Sequence, residues 1–199
     1  MIQAVIFDLG GVVFTNGTKN FSEYLGKKYQ VDVEKAKALL DKSDIGNAYR
    51  TGKITREAFW DAVKRELVLH EQIDVLEQKW IDVYVLIEET KAIIDNLSQK
   101  YSVYYLSDNV KERVEAIDKK YGFKKWFTDG ISSHEVGVRK PSSEIYQIAL
   151  KKTGINPDDV LFIDDKENNL TPAKKLGMQT LLFESPEKLA TDLKKLSLI

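Results

Sequence analysis

Short, nearly continuous apolar runs punctuate this chain, and segments of helical periodicity separate them. The first run is IQAVIF at 2–7. Its β-branched content and unbroken apolarity suit a parallel strand covered on both faces. From about 15 to 90 the pattern changes. FSEYLGKKY, DVEKAKALLDKSDI, TREAFWDAVKREL and IDVLEQKWIDVYVLI repeat their apolar positions at three and four, as a small helix bundle requires. Thr55 stands where an N-cap of the third of these belongs. From about 88 helical and strand patterns alternate. EETKAIIDNLSQK precedes YSVYYLS, 110–121 precedes FTDGISS, 142–153 precedes DVLFIDD, and 168–176 precedes MQTLLF. That alternation predicts an α/β fold, a Rossmann-like parallel sheet flanked by helices, with right-handed crossovers. The helical block then reads as an insertion after the first strand. It divides the chain into a core domain, 1–14 and 86–199, and an inserted helical cap, 15–85, placed to act as a lid.

Composition narrows the chemistry. A chain of 199 residues accommodates one domain with a small insert. It has no cysteine, which removes disulfides, thiol nucleophiles and thiolate metal sites. Its two histidines, His70 and His134, are too few for a zinc site of their own. A net charge of -1 exerts no overall pull on nucleic acid, so the basic stretch KKYGFKKW reads as a solvated face. No apolar run is long enough to span a membrane, and no basic-flanked leader is seen. The expectation is a cytoplasmic monomer or homodimer with no nucleic-acid or membrane partner.

Polar residues gather where the apolar runs stop. Asp8 ends the first and is followed by LGGVV; Ser107, Asp108 and Asn109 end the second; Asp164 and Asp165 end LFIDD. Open α/β sheets bind ligands outside the carboxyl ends of their strands, so these tips surround one site if the strands are neighbours. Asp8 and Asp164 are a hard oxygen pair suited to Mg²⁺. Lys140, just before Pro141 near a helix start, is the compensating cation. The Ser107 hydroxyl can donate to a phosphoryl oxygen.

In that order and spacing, DLGGV at 8–12, LS ending at Ser107, Lys140 in VRKP, and DD at 164–165 within FIDDKENNLTPAKKLGM make the chain resemble a haloacid dehalogenase-like hydrolase. That superfamily is dominated by phosphatases. The FDLGGV, VRKP and FIDDKENN forms are similar to those of bacterial sugar-1-phosphate phosphatases and of the N-terminal phosphatase-like domain of soluble epoxide hydrolases. The resemblance implies strand order 5-4-1-2-3 and a cap after the first motif. It implies that Asp8 attacks phosphorus and becomes an aspartyl-phosphate. Gly10, Ser107, Asp108, Asn109 and Lys140 would surround the phosphoryl group, with Ser107 and Lys140 holding it. Mg²⁺ would be bound by Asp8, Asp164 and the backbone carbonyl of Gly10, with Asp165, and Asn169 as a second candidate, on its waters. The substrate would be a small phosphorylated metabolite.

One position departs from that pattern. Most phosphatases of this kind carry a second Asp two residues after the nucleophile, and here that position is Gly10. General acid–base help is worth roughly 10²–10⁴-fold. A leaving group of low pKa reduces the need for it: a sugar 1-phosphate leaves somewhat more easily than an ordinary alkyl phosphate, and an acyl phosphate far more easily. Asp108, Glu167, Asp44 or Tyr49 could supply it. Alternatively the domain is weakly active or inactive and binds a ligand or protein partner. A 2-haloacid dehalogenase is a lesser alternative, because halide leaves without a proton. In the cap, SDIGNAYRTGKIT is a helix–helix connection or a substrate-facing loop, with Gly46 and Gly52 as turn residues and Asp44, Asn47, Tyr49 and Arg50 as polar donors or acceptors. Thr15, Asn16 and Asn20 fall at the hinge. Phe59, Trp60, Trp80 and Tyr84 are read as bundle core, Trp126 as packing on the sheet edge or a helix, and His134 as a local loop contact.

Overall fold

A computed structural model describes all residues of the chain, 1–199. Five parallel strands form one sheet: β1 (Ala4–Phe7), β2 (Ser102–Ser107), β3 (Asp129–Ser132), β4 (Val160–Asp164) and β5 (Gln179–Leu182). Their order is β3-β2-β1-β4-β5, the order the resemblance implies. β1 is central, and Phe7 is level with Tyr105 of β2 and Ile163 of β4. The ends of β1, β2 and β4 therefore open side by side.

Both faces of the central strands are buried, which is why IQAVIF shows no alternation. Val5, Phe7, Val103, Tyr105, Leu161 and Ile163 enter one core, and Ala4, Ile6, Tyr104, Leu106, Val160 and Phe162 enter the other. Side chains alternate along a strand, so each face takes every second residue. The second core is closed by two helices, Ser143–Thr153 and Glu167–Lys175, through Ile145, Tyr146, Leu170 and Ala173.

Five further helices are inserted between β1 and the helix Glu88–Leu97. They are α1 (Gly17–Tyr29), α2 (Val33–Lys37, continued by a π-helical turn at Ala38–Lys42), α3 (Asp44–Arg50), α4 (Arg56–Leu67) and α5 (Ile73–Asp82). Thr55 caps α4 by accepting from the Ala58 amide at 3.2 Å, as its position predicts. Aromatic rings hold the insert together. Phe21 of α1 stacks on Trp80 of α5 at 4.9 Å, with Trp60 of α4 edge-on to both. Two antiparallel connectors join insert to sheet. Thr15 N donates to Val85 O at 2.9 Å, Ile87 N donates to Val13 O at 2.9 Å, and the Thr15 hydroxyl donates to Val83 O at 2.6 Å. Trp126 packs on Phe14 at 6.3 Å beneath these connectors.

One expectation needs correcting. The first half of SDIGNAYRTGKIT is not a loop but helix α3, capped by the Ser43 side chain, whereas 51–54 is the turn that joins α3 to α4, with Gly52 at φ +68°. Gly46 lies inside that helix. A Cβ there would come within 2.8 Å of Leu39 O, so the glycine permits close packing on the preceding turn rather than a bend.

Candidate active site

After β1 the chain folds back at once. The amides of Val13 and Phe14 both point at Leu9 O, at 3.0 and 2.8 Å, in a tight turn that leaves Asp8 at the strand tip. Gly11 sits at φ +99°, and any Cβ there would overlap the Asp165 carboxylate. Gly11 of DLGGV thus lets the turn pass against the end of β4.

Lys140 ties the tips together. Its ammonium group reaches Asp8 Oδ1 at 2.9 Å, Asp164 Oδ2 at 2.7 Å and Leu106 O at 3.0 Å, and the side chain is buried. Asp164 also accepts from Asn169 Nδ2 at 2.9 and 3.0 Å and from the Lys166 amide at 2.9 Å. The other Asp8 bond to Oδ1 comes from the Leu9 amide at 2.7 Å, and Oδ2 has no protein partner. Ser107 is buried at the end of β2 beside them, and its hydroxyl makes no bond within the chain. Asp8, Gly10, Ser107, Asp108, Asn109 and Lys140 line one pocket.

The electrostatics follow from this crowding. Burial pushes the Asp8 carboxyl up to about 7; Lys140 opposes that shift, and the Asp164 and Asp165 charges add to it. Burial also raises Asp165. For Lys140 burial acts downward, but the Asp164 and Asp8 carboxylates outweigh it and hold the ammonium firmly protonated. Three carboxylates face one buried lysine, with the Lys166 charge also acting on Asp8 and Asp165 from the pocket rim. Asp8, Asp164 and Asp165 each offer an oxygen within 4.8 Å of the others, and Asp165 Oδ1 is buried with no partner. An orphaned buried carboxylate oxygen beside two more asks for a cation, and an all-oxygen donor set suits Mg²⁺. The residues present fit that ion.

This arrangement makes stability depend on pH and metal together. An acid whose folded value exceeds its unfolded one stabilises the fold at low pH and loses that contribution as pH rises. For Asp8 the window runs from its ordinary 3.8 to about 7. Metal-free protein is therefore expected to melt at a lower temperature at pH 8 than at pH 5.5, as read by thermal scans. Added Mg²⁺ should raise the melting temperature more at pH 8. Equal Mg²⁺ effects at both pH values would contradict the assignment.

The remaining sequence candidates separate cleanly. Asp108 lines the pocket, but its carboxylate accepts from the Lys140 amide at 3.0 Å and Arg139 Nε at 3.3 Å. Glu167 is exposed and pairs with Lys174 at 3.1 Å. Asp44 is exposed on α3, at the outer cleft. Tyr49 stacks on Phe59 inside the insert and donates to Glu112 at 3.1 Å. His134 Nδ1 contacts Asn109 O at 2.8 Å, a local contact. Asn16 caps α1 and reaches Asp165 Oδ2 at 3.5 Å, whereas Asn20 stays outside the pocket.

Arg50, a polar candidate of the cap segment, is joined by two residues whose place in the site the sequence did not show. Arg50 of α3 is buried and donates to Asp108 O and, at 2.8 Å, to the Thr18 hydroxyl. Asp41 pairs with Arg139 at 2.7 Å and with Arg50 at 3.3 Å, fastening the insert over the strand tips. Burial would raise Asp41, but Arg50 and Arg139 hold it down to about 2. Tyr84 is the third. It is buried, as a core residue would be, but it forms a wall of the pocket.

The fold and these strand-tip residues define a haloacid dehalogenase-like hydrolase. The family model for haloacid dehalogenase-like hydrolases matches residues 2–177, and the chain belongs to that family. It is 26% identical over 206 residues to the D-ribitol-5-phosphate phosphatase of Bacteroides thetaiotaomicron, with 93% of each chain covered. A HAD family enzyme from Bacteroides thetaiotaomicron, solved in complex with magnesium and inorganic phosphate, has a TM-score of 0.77 at 22% identity, covering 95% of this chain and 99% of that one. The L-2-haloacid dehalogenase from Xanthobacter autotrophicus, with chloropropionic acid covalently bound, has a TM-score of 0.70 at 19% identity, covering 100% of this chain and 85% of that one. These two structural likenesses are of fold. No helix of the protein is long and apolar enough to cross a membrane.

Proposed function

We propose that the protein is a Mg²⁺-dependent phosphatase of a small, strongly polar phosphorylated metabolite, a sugar or polyol phosphate, and that Asp8 is its nucleophile. The observation that carries this reading is the meeting of Asp8, Asp164, Asp165 and Lys140 at the tips of two adjacent strands. Asp8 Oδ2, free of protein partners, attacks phosphorus, and the ester oxygen leaves. Lys140 and Ser107 hold the phosphoryl oxygens where negative charge builds. Water then attacks the aspartyl-phosphate and releases inorganic phosphate, restoring Asp8. Asp8, Asp164 and the Gly10 carbonyl would hold Mg²⁺, with Asp165 oriented on its waters; bound there, it neutralises charge on the phosphoryl group.

Two features support a polyhydroxylated substrate. Tyr84 is the only hydrophobic residue type among the fifteen that line the pocket. Asn16, Thr18, Asp41 and Arg50 present hydrogen-bonding groups from the inserted side. Residues 15–85 act as the cap in this reading, closed by the Asp41–Arg139 and Arg50–Asp108 contacts. The same pattern of polar tips and acidic metal ligands favours phosphoryl chemistry over carbon–halogen cleavage.

The test is phosphate release from a panel of sugar and polyol phosphates and from 4-nitrophenyl phosphate, with Mg²⁺ and with EDTA. Turnover with Mg²⁺ that EDTA abolishes is expected. No turnover of any ester would overturn the reading. Metal-independent halide release from 2-haloacids would replace it with dehalogenase chemistry.

A further inference from the structure

Gly10 leaves the site without a side chain to protonate the departing oxygen, and Tyr84 stands beside that bare position in the same pocket. A Cβ built on Gly10 would meet Tyr84 Cε1 at 3.8 Å, an ordinary contact distance. On the other side of the ring stands Gly17, the first residue of α1, where any Cβ would run into the phenol. The ring thus lies between two bare backbone positions, and it lines the same pocket as Asp8 and Ser107. Gly17 makes room for this aromatic residue, and the bare Gly10 leaves its other edge facing backbone.

The hydrogen bonds around the phenol set its direction. Asn109 Oδ1 accepts from its neighbour's amide, Val110 N, at 3.0 Å and from Arg113 Nε at 3.1 Å. Both partners are obligate donors, so the amide orientation is fixed and Asn109 Nδ2 must face Tyr84. Nδ2 donates to Tyr84 Oη at 3.4 Å. The phenol oxygen is therefore an acceptor on its Asn109 side, and its own proton has no acceptor within the chain. Arg113 is fully buried, with its guanidinium 3.5 Å from the centre of the Trp80 ring, which holds the Asn109 end of the relay in place.

We propose that Tyr84 is the proton donor to the leaving-group oxygen, standing in for the side chain that Gly10 lacks. The inference rests on the phosphatase reading above. As the bond from Asp8 to phosphorus forms and the bond from phosphorus to the ester oxygen breaks, that oxygen takes the phenol proton and leaves as the alcohol. The Asn109 amide, backed by Arg113, stabilises the resulting phenolate. Solvent water returns the proton once the alcohol has left. A tyrosine can serve as such an acid when it is positioned on the reacting oxygen.

The experiment compares wild type and Tyr84→Phe on an alkyl phosphate, whose alkoxide needs a proton, and on 4-nitrophenyl phosphate, whose leaving group does not. Tyr84→Phe keeps the ring between the two glycines, so the fold is preserved; a thermal scan and the inhibition constant of inorganic phosphate verify this. A fall in kcat of about 10²–10⁴-fold on the alkyl ester, against at most a few-fold on the aryl ester, is expected. Partial recovery of the alkyl activity in Gly10→Asp/Tyr84→Phe would support the same assignment. Equal losses on both esters, or none on either, would overturn it while leaving the phosphatase reading intact. A wild type that hydrolyses neither ester overturns the phosphatase reading and this inference with it.

Discussion

Asp8→Asn is expected to lower kcat by about 10⁴-fold or more on every phosphate ester, while the folded protein remains. The substitution keeps the shape of the side chain and removes the oxygen proposed as the nucleophile. It can still accept from the Leu9 amide and from Lys140 through its carbonyl oxygen, as Asp8 Oδ1 does. Burial and the Asp164 and Asp165 charges already oppose ionisation of Asp8, so a neutral side chain relieves repulsion. The metal-free variant should therefore melt no lower than wild type at pH 8. Activity assays and thermal scans read the two effects separately, and retained activity would remove Asp8 from the nucleophile's role.

Lys140→Met carries the largest structural effect. Lys140 is the one ammonium that touches both Asp8 and Asp164, and all three groups are buried. Removing one partner of a buried ionic group leaves uncompensated charge, at a cost of about 3–5 kcal/mol. In a chain of this size that is a fall in melting temperature of roughly 10 °C. Turnover should drop by at least about 10²-fold as well, because the phosphoryl oxygens lose their cation. Added Mg²⁺ should recover part of the stability and little of the activity. A melting temperature unchanged from wild type would show that the carboxylates do not depend on this lysine.

The sheet was legible because its signals are local. A buried parallel strand reads as an apolar run, and the polar residue that ends it is the next letter in the sequence. Asp8, Ser107 and Asp164 stand out for that reason, and each lies at its strand's end. The capping of α4 by Thr55 is equally local. What stayed hidden depends on partners far apart in sequence. Arg50 looks like a polar residue near a glycine until α3 brings it to Asp108, and Arg139 gains meaning only when Asp41 reaches it. Tyr84 has the apolar spacing of a bundle residue, and it is buried like one. Only the folded connectors place its ring beside Gly10. Gly46 misled for a related reason: a glycine can serve close packing as well as a turn, and the two look alike in one dimension.

The covalent step tests the account most directly. Wild-type protein mixed with Mg²⁺ and a substrate that it turns over, quenched in acid within one turnover and digested, should yield one added phosphoryl group on the peptide carrying Asp8. Hydroxylamine should remove that group, as it does from an acyl phosphate, and Asp8→Asn should show none. A phosphoryl group on Ser107, or turnover with no labelled peptide under conditions that preserve acyl phosphates, would contradict nucleophilic catalysis by Asp8.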